Sequence, residues 1–99
     1  MTVQHIVAFT WKDGTPQDDV DRIAAALREL AGSLPGVESF DLGPDLGLGP
    51  TNASFGIAAR FADEESFLGY REHPTHHRIN AELVGPHLAA KSVLQFRLG

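Results

Sequence analysis

Four of the five histidines in the chain fall between His73 and His87, and the densest run reads Tyr70-Arg71-Glu72-His73-Pro74-Thr75-His76-His77. Imidazole is the side chain whose unperturbed pKa lies closest to neutrality, so such a run is where proton transfer would be sought. The fifth histidine, His5, stands among apolar residues near the N-terminus. If His5, Tyr70 and His76 meet in one apolar cavity, they form a small acid–base site of two imidazoles and a phenolic donor. The competing structural reading is that His5 and His76 are buried and satisfied by backbone groups or by each other.

His73, His76 and His77 also invite a metal reading. Histidines at helical i, i+3 or i+4 spacing can bind zinc, but a site needs three protein ligands as a rule. Pro74 moves His73 off the helix, and His76 and His77 diverge by roughly 100° around it. No metal site is expected. His73 is instead read as a cap for the helix starting at Pro74, and His87, beside Pro86, as a surface loop residue. Trp11 is read as packing at the core or its rim, where it could line a cavity mouth.

These residues must be positioned by the elements around them. Val3, His5, Val7, Phe9 and Trp11 alternate with Thr2, Gln4, Ile6, Ala8 and Thr10, a period of two that predicts a strand with His5 on its bulky face. Lys12-Asp13-Gly14 ends it. Thr15 as cap, Pro16 at the first position and Asp18 and Asp19 in the first turn predict a helix. Its apolar stripe is Val20, Ile23, Ala24, Leu27, Leu30, Ala31 and Leu34, and Pro35-Gly36 stops it. Residues 37–42 read as a second strand and 52–61 as a third, with Phe55, Ile57, Ala59 and Phe61 on one face. The loop 43–51 between them is rich in Gly and Pro, but its spacing matches neither a dinucleotide fingerprint nor a P-loop.

Asp63 caps a short helix carrying Phe67 and Tyr70, and Pro74 breaks it at His73. In the helix that follows, His76, Ile79, Asn80 and Leu83 form the inward stripe, which Gly85-Pro86 interrupts. Residues 91–98 close the chain as a fourth strand with Leu94, Phe96 and Leu98 on its apolar face. Strand, helix, strand, strand, broken helix, strand is the ferredoxin-like βαββαβ order of an α+β domain, with two helices on one face of a four-stranded antiparallel sheet. The opposite sheet face, expected to carry Ile6, Ala8, Ala58 and Val93, is too apolar to be left in water. A second copy of the chain is expected to cover it, giving a dimeric α/β barrel.

A length of 99 residues predicts one domain, residues 1–99, and a core small enough that self-association would help it. With 42% apolar and 21% charged residues the composition is that of an ordinary globule. No apolar run approaches a membrane span and the N-terminus lacks a signal pattern, so no membrane partner and a cytoplasmic location are expected. The absence of cysteine excludes disulfides and thiolate chemistry. A net charge of −5 with scattered Lys and Arg does not suit a nucleic-acid partner.

Three segments resemble the stress-responsive α/β-barrel (Dabb) family: the opening His5-Ile-Val-Ala-Phe-Thr-Trp-Lys-Asp-Gly, the Pro35-Gly36 pair, and Tyr70-Arg-Glu-His73-Pro74-Thr-His76. The likeness spans nearly the whole chain. It implies a homodimeric barrel of ferredoxin-like subunits, with no activity implied by membership alone. One branch of the family, polyketide cyclases of the olivetolic acid type, works without a cofactor through three positions that here hold His5, Tyr70 and His76. The resemblance to that branch implies aldol carbon–carbon bond formation on a hydrophobic, polyketide-like small molecule. His76 would then be the general base, Tyr70 a donor to a substrate carbonyl, and His5 a group that orients the base or stabilises the enolate. The chain departs from that branch in its short 43–51 loop and in the Arg-Glu pair after the tyrosine. The alternatives are a non-enzymatic, stress-associated structural or ligand-binding barrel and, further off, a dimeric-barrel monooxygenase or isomerase.

Overall fold

The computed structural model describes residues 1–99. Strand β1 (Val3–Trp11) is followed by helix α1 (Gln17–Ser33), the hairpin of β2 (Val37–Pro44) and β3 (Phe55–Phe61), helix α2 (Glu64–Arg71) and helix α3 (Pro74–Ile79). A π-helical turn (Asn80–Val84) and a 3-10 turn (Gly85–His87) lead into β4 (Leu88–Arg97). The four strands form one antiparallel sheet in the order β2-β3-β1-β4. This is the ferredoxin-like α+β arrangement, with the helices on one sheet face.

Hydrophobic alternation decides that layering. Val3, Val7 and Phe9 of β1 and Phe55, Ile57, Ala59 and Phe61 of β3 are buried against Val20, Ile23, Leu27 and Leu30 of α1. The α1 stripe is the one the 3.6-residue period predicts. Its start differs from expectation: Pro16 is the N-cap residue, and the Thr15 hydroxyl donates to the Lys12 carbonyl at 2.7 Å instead of capping the helix. Gly36, at φ +79°, makes the turn from α1 into β2 and its carbonyl accepts from Ala62 N at 2.8 Å. A side chain there would run into Ser66 of α2, so glycine lets α2 lie close over the start of the hairpin.

Two expectations about faces are corrected. The register Val7↔Val93 and Ile6↔Leu94 puts Val93 on the helix side of the sheet and Leu94 on the other. Because side chains alternate, a one-residue shift exchanges the two faces. The helix-free face therefore carries Ile6, Ala8, Ala58, Leu94 and Phe96, and the last two are about half exposed. The second correction lies after α3, where the π turn admits an extra residue. It turns Val84 fully into the core and leaves Leu83, expected on the inward stripe, only partly buried.

Candidate active site

Tyr70 comes from α2, which Asp63 caps by accepting from Ser66 N at 2.8 Å. Pro74 cannot continue that helix, and the chain turns at His73 before α3 begins. His73 caps α3, its Nδ1 accepting from Thr75 N at 3.1 Å. The turn brings His76 against Tyr70, ring centroids 4.5 Å apart. His5, on the helix side of β1, lies 6.1 Å from Tyr70 and 4.9 Å from Phe67, centroid to centroid. All three predicted residues border a single cavity of about 190 Å³ between the sheet and the helices. Val7, Phe9, Leu27, Ile57, Phe67 and Val93 make its apolar wall, and Arg71, Asn80, Lys91 and Gln95 supply its polar groups.

The two imidazoles differ in their hydrogen bonds. Gln95 Nε2 donates to His5 Nδ1 at 3.0 Å, which makes Nδ1 the acceptor and places the ring proton on Nε2. His76 Nδ1 lies 3.1 Å from the Arg71 carbonyl. A carbonyl has no proton to give, so this nitrogen carries the hydrogen and Nε2 keeps its lone pair. Asn80 Nδ2 approaches the same His76 nitrogen at 3.4 Å, a longer contact that would need the opposite tautomer. The shorter bond to an obligate acceptor decides. The pair thus presents one N–H donor, on His5, and one bare nitrogen, on His76.

Desolvation keeps both rings neutral. Burial, and secondarily the neighbouring His76, pulls His5 down to about 4. Burial also lowers His76, partly opposed by its bond to the Arg71 carbonyl. Burial raises the Tyr70 hydroxyl above its ordinary value, so it stays a donor throughout the neutral range. That hydroxyl has no hydrogen-bond partner in the protein and is not sealed from solvent-accessible space, and Tyr70 lines the cavity. A donor phenol, a donor imidazole and an acceptor imidazole around one apolar hollow can remove a proton and hold the oxyanion that results.

The other candidates fall elsewhere. His73 is occupied as a cap, His77 lies 3.9 Å from Glu72 on the surface, and no three metal-ligating side chains converge. His87 is half-buried in the 3-10 turn with Nε2 3.3 Å from Asp19 of α1, so it ties the turn to a helix where a surface loop residue was expected. Trp11 packs in tilted contacts against Phe9 and Phe55, ring centroids 5.2 and 5.9 Å apart, and does not line the cavity. Two further polar residues border the hollow without belonging to the histidine-rich motif: Gln95, which sets the His5 tautomer, and Lys91. Their signal in the sequence is that both alternate with Val93 on one face of β4.

Frame and cavity together define a ferredoxin-like α+β subunit with a hollow of about 190 Å³ between sheet and helices. The chain belongs to the stress responsive A/B barrel domain (Dabb) family, whose model matches residues 3–96. A dimeric ferredoxin-like protein of unknown function from Thermobifida fusca is 34% identical, with a TM-score of 0.89 over 99% of this chain and 92% of that one. Another dimeric ferredoxin-like protein of unknown function, from Jannaschia, is 24% identical (TM-score 0.83, covering 99% of this chain and 100% of that one). A hydroxynitrile lyase from Passiflora edulis shares the fold at 22% identity (TM-score 0.84, covering 99% and 94%). No curated protein matches the chain in sequence. No helix is long and apolar enough to cross a membrane.

Proposed function

We propose that the chain is a homodimeric barrel whose cavity binds a small, largely hydrophobic carbonyl compound and catalyses a cofactor-free, polyketide-type aldol cyclisation. The observation that carries this is the convergence of His5, His76 and the Tyr70 phenol on one apolar cavity, with hydrogen bonds to the two imidazoles that call for opposite neutral tautomers. The fold shared with a hydroxynitrile lyase supports an enzyme in a frame of this shape. The dimeric state of the Thermobifida and Jannaschia proteins supports a homodimer, and the half-exposed Leu94 and Phe96 of the helix-free face offer the apolar surface for it.

His76 Nε2 takes a proton from the carbon between two carbonyls. The enolate oxygen is held by the Tyr70 hydroxyl and the His5 N–H. The enolate carbon attacks a third, more distant carbonyl of the same molecule, forming the ring bond, and the new alkoxide recovers the proton from the His76 imidazolium. The sum is an isomerisation that needs no external oxidant or reductant. Because burial already lowers His76, the base is free at neutral pH.

The test is incubation with linear β-polycarbonyl compounds and detection of ring-closed product. Wild type should accelerate closure, and His76→Ala should lose about a hundredfold or more of that rate while keeping the wild-type assembly state. Normal turnover by the variant removes the base role. Binding by wild type without acceleration would leave a ligand-binding barrel.

A further inference from the structure

The cavity's charges do not match the chain's. The chain carries a net charge of −5, yet the cavity lining has two cationic side chains, Arg71 and Lys91, and no carboxylate. Arg71 is already engaged: its Nε donates to Glu72 at 2.9 Å and its guanidinium lies 5.8 Å from the Phe67 ring centroid. Lys91 takes part in none of the chain's ion pairs. We propose that Lys91 anchors a carboxylate at one end of the ligand, so that the site takes linear carbonyl acids in preference to the neutral ketones or esters of the same skeleton. This rests on the reading of the cavity as a ligand site.

The arrangement along β4 gives the reason. Lys91, Val93 and Gln95 follow one another on the helix side of the strand, opposite Phe9, Val7 and His5. At ~3.3 Å per residue, the Cα atoms of Lys91 and Gln95 stand about 13 Å apart. The hollow is therefore graded: donors at the His5–Gln95 end, hydrocarbon in the middle, and a cation at the Lys91 end. A lysine stem lies readily along apolar surface while its ammonium stays at the polar edge, and a compact ammonium suits a single carboxylate. The Lys91 charge is felt at His76, where it helps to lower the imidazole's proton affinity, so the two groups share one field.

The test uses a linear β-dicarbonyl acid, with three methylenes between diketone and carboxylate, and its methyl ester. Both are titrated calorimetrically into the full-length protein. Wild type should bind the acid about fivefold more tightly than the ester, a preference that shrinks as salt is raised. Lys91→Met should bind the acid and the ester alike, and Lys91→Arg should keep the preference. Equal binding of acid and ester by wild type, or an undiminished preference in Lys91→Met, would overturn the role of Lys91 while leaving the cavity a ligand site. Binding of neither compound would overturn both readings; these probes carry no further ketone on which to close a ring, so the catalytic reading is tested by the cyclisation assay alone.

Discussion

Tyr70 and His76 face each other across a broken helix, with ring centroids 4.5 Å apart. Six residues apart on a continuous α-helix, they would point about 120° away from one another. The stop at His73-Pro74 makes them neighbours, and the freed Arg71 carbonyl at the end of α2 receives the His76 Nδ1–H. The same break therefore positions the ring and selects its tautomer.

Tyr70→Phe separates catalysis from stability. The hydroxyl has no protein partner, so the variant should unfold within about 0.5 kcal/mol of wild type. Loss of a donor to the enolate should lower kcat by about a hundredfold. Equal turnover, measured by product formation at saturating substrate, would remove Tyr70 from the site.

The tautomers are open to nitrogen NMR at neutral pH. His5 should carry its proton on Nε2 and His76 on Nδ1. Gln95→Leu removes the amide donor to His5 Nδ1 and should mix the His5 tautomers without altering those of His76. A single, unchanged His5 tautomer in the variant would show that Gln95 does not set it.

Stability should fall on mild acidification. His5 titrates at about 4 in the folded chain against an ordinary 6.5. Between those values the unfolded chain holds a proton that the folded chain refuses. Stability is thus lost as pH drops from about 6.5 towards 4, and this contribution levels off below, at no more than about 3 kcal/mol. The depressed His76 acts in the same direction. Urea unfolding at pH 7 and pH 5 should show a smaller drop for His5→Leu than for wild type, and equal drops would contradict the buried neutral imidazole.

Charge on the helix-free face should separate the subunits. Leu94 and Phe96 are about half exposed in the single chain and sit beside Ile6 and Gln4 of β1. Under two-fold symmetry each substitution is felt twice, so Leu94→Asp or Phe96→Asp should weaken the dimer by about a hundredfold or more. Light scattering at micromolar concentration reads this directly. An unchanged assembly in both variants would mean that the subunits pair elsewhere.

Much of this frame was legible in the residues. The α1 stripe, the alternation of β1 and β3, the stop at Pro35-Gly36 and the break at Pro74 are local patterns, each written by neighbours a few positions apart. The same local logic identified His73 as a cap. It failed where one residue of register matters. Val93 lies on the helix side of β4 and not on the helix-free face, and a strand with side chains of mixed polarity on both faces does not announce which one the sheet buries. The π turn at Asn80–Val84 was also invisible, since only packing against the core selects the wider turn over a regular helix.

By itself the sequence determined the element order, the inward faces of α1, β1 and β3, and the supply of two imidazoles and one phenol, because short-range hydrophobic periodicity and proline geometry require no distant partner. Only the tertiary structure decided that Gln95, ninety residues from His5, fixes its tautomer, that Lys91 borders the same hollow, and that burial holds both rings neutral. Those properties arise from contacts between strands and helices remote in the chain, and desolvation exists only once those elements have closed over the site.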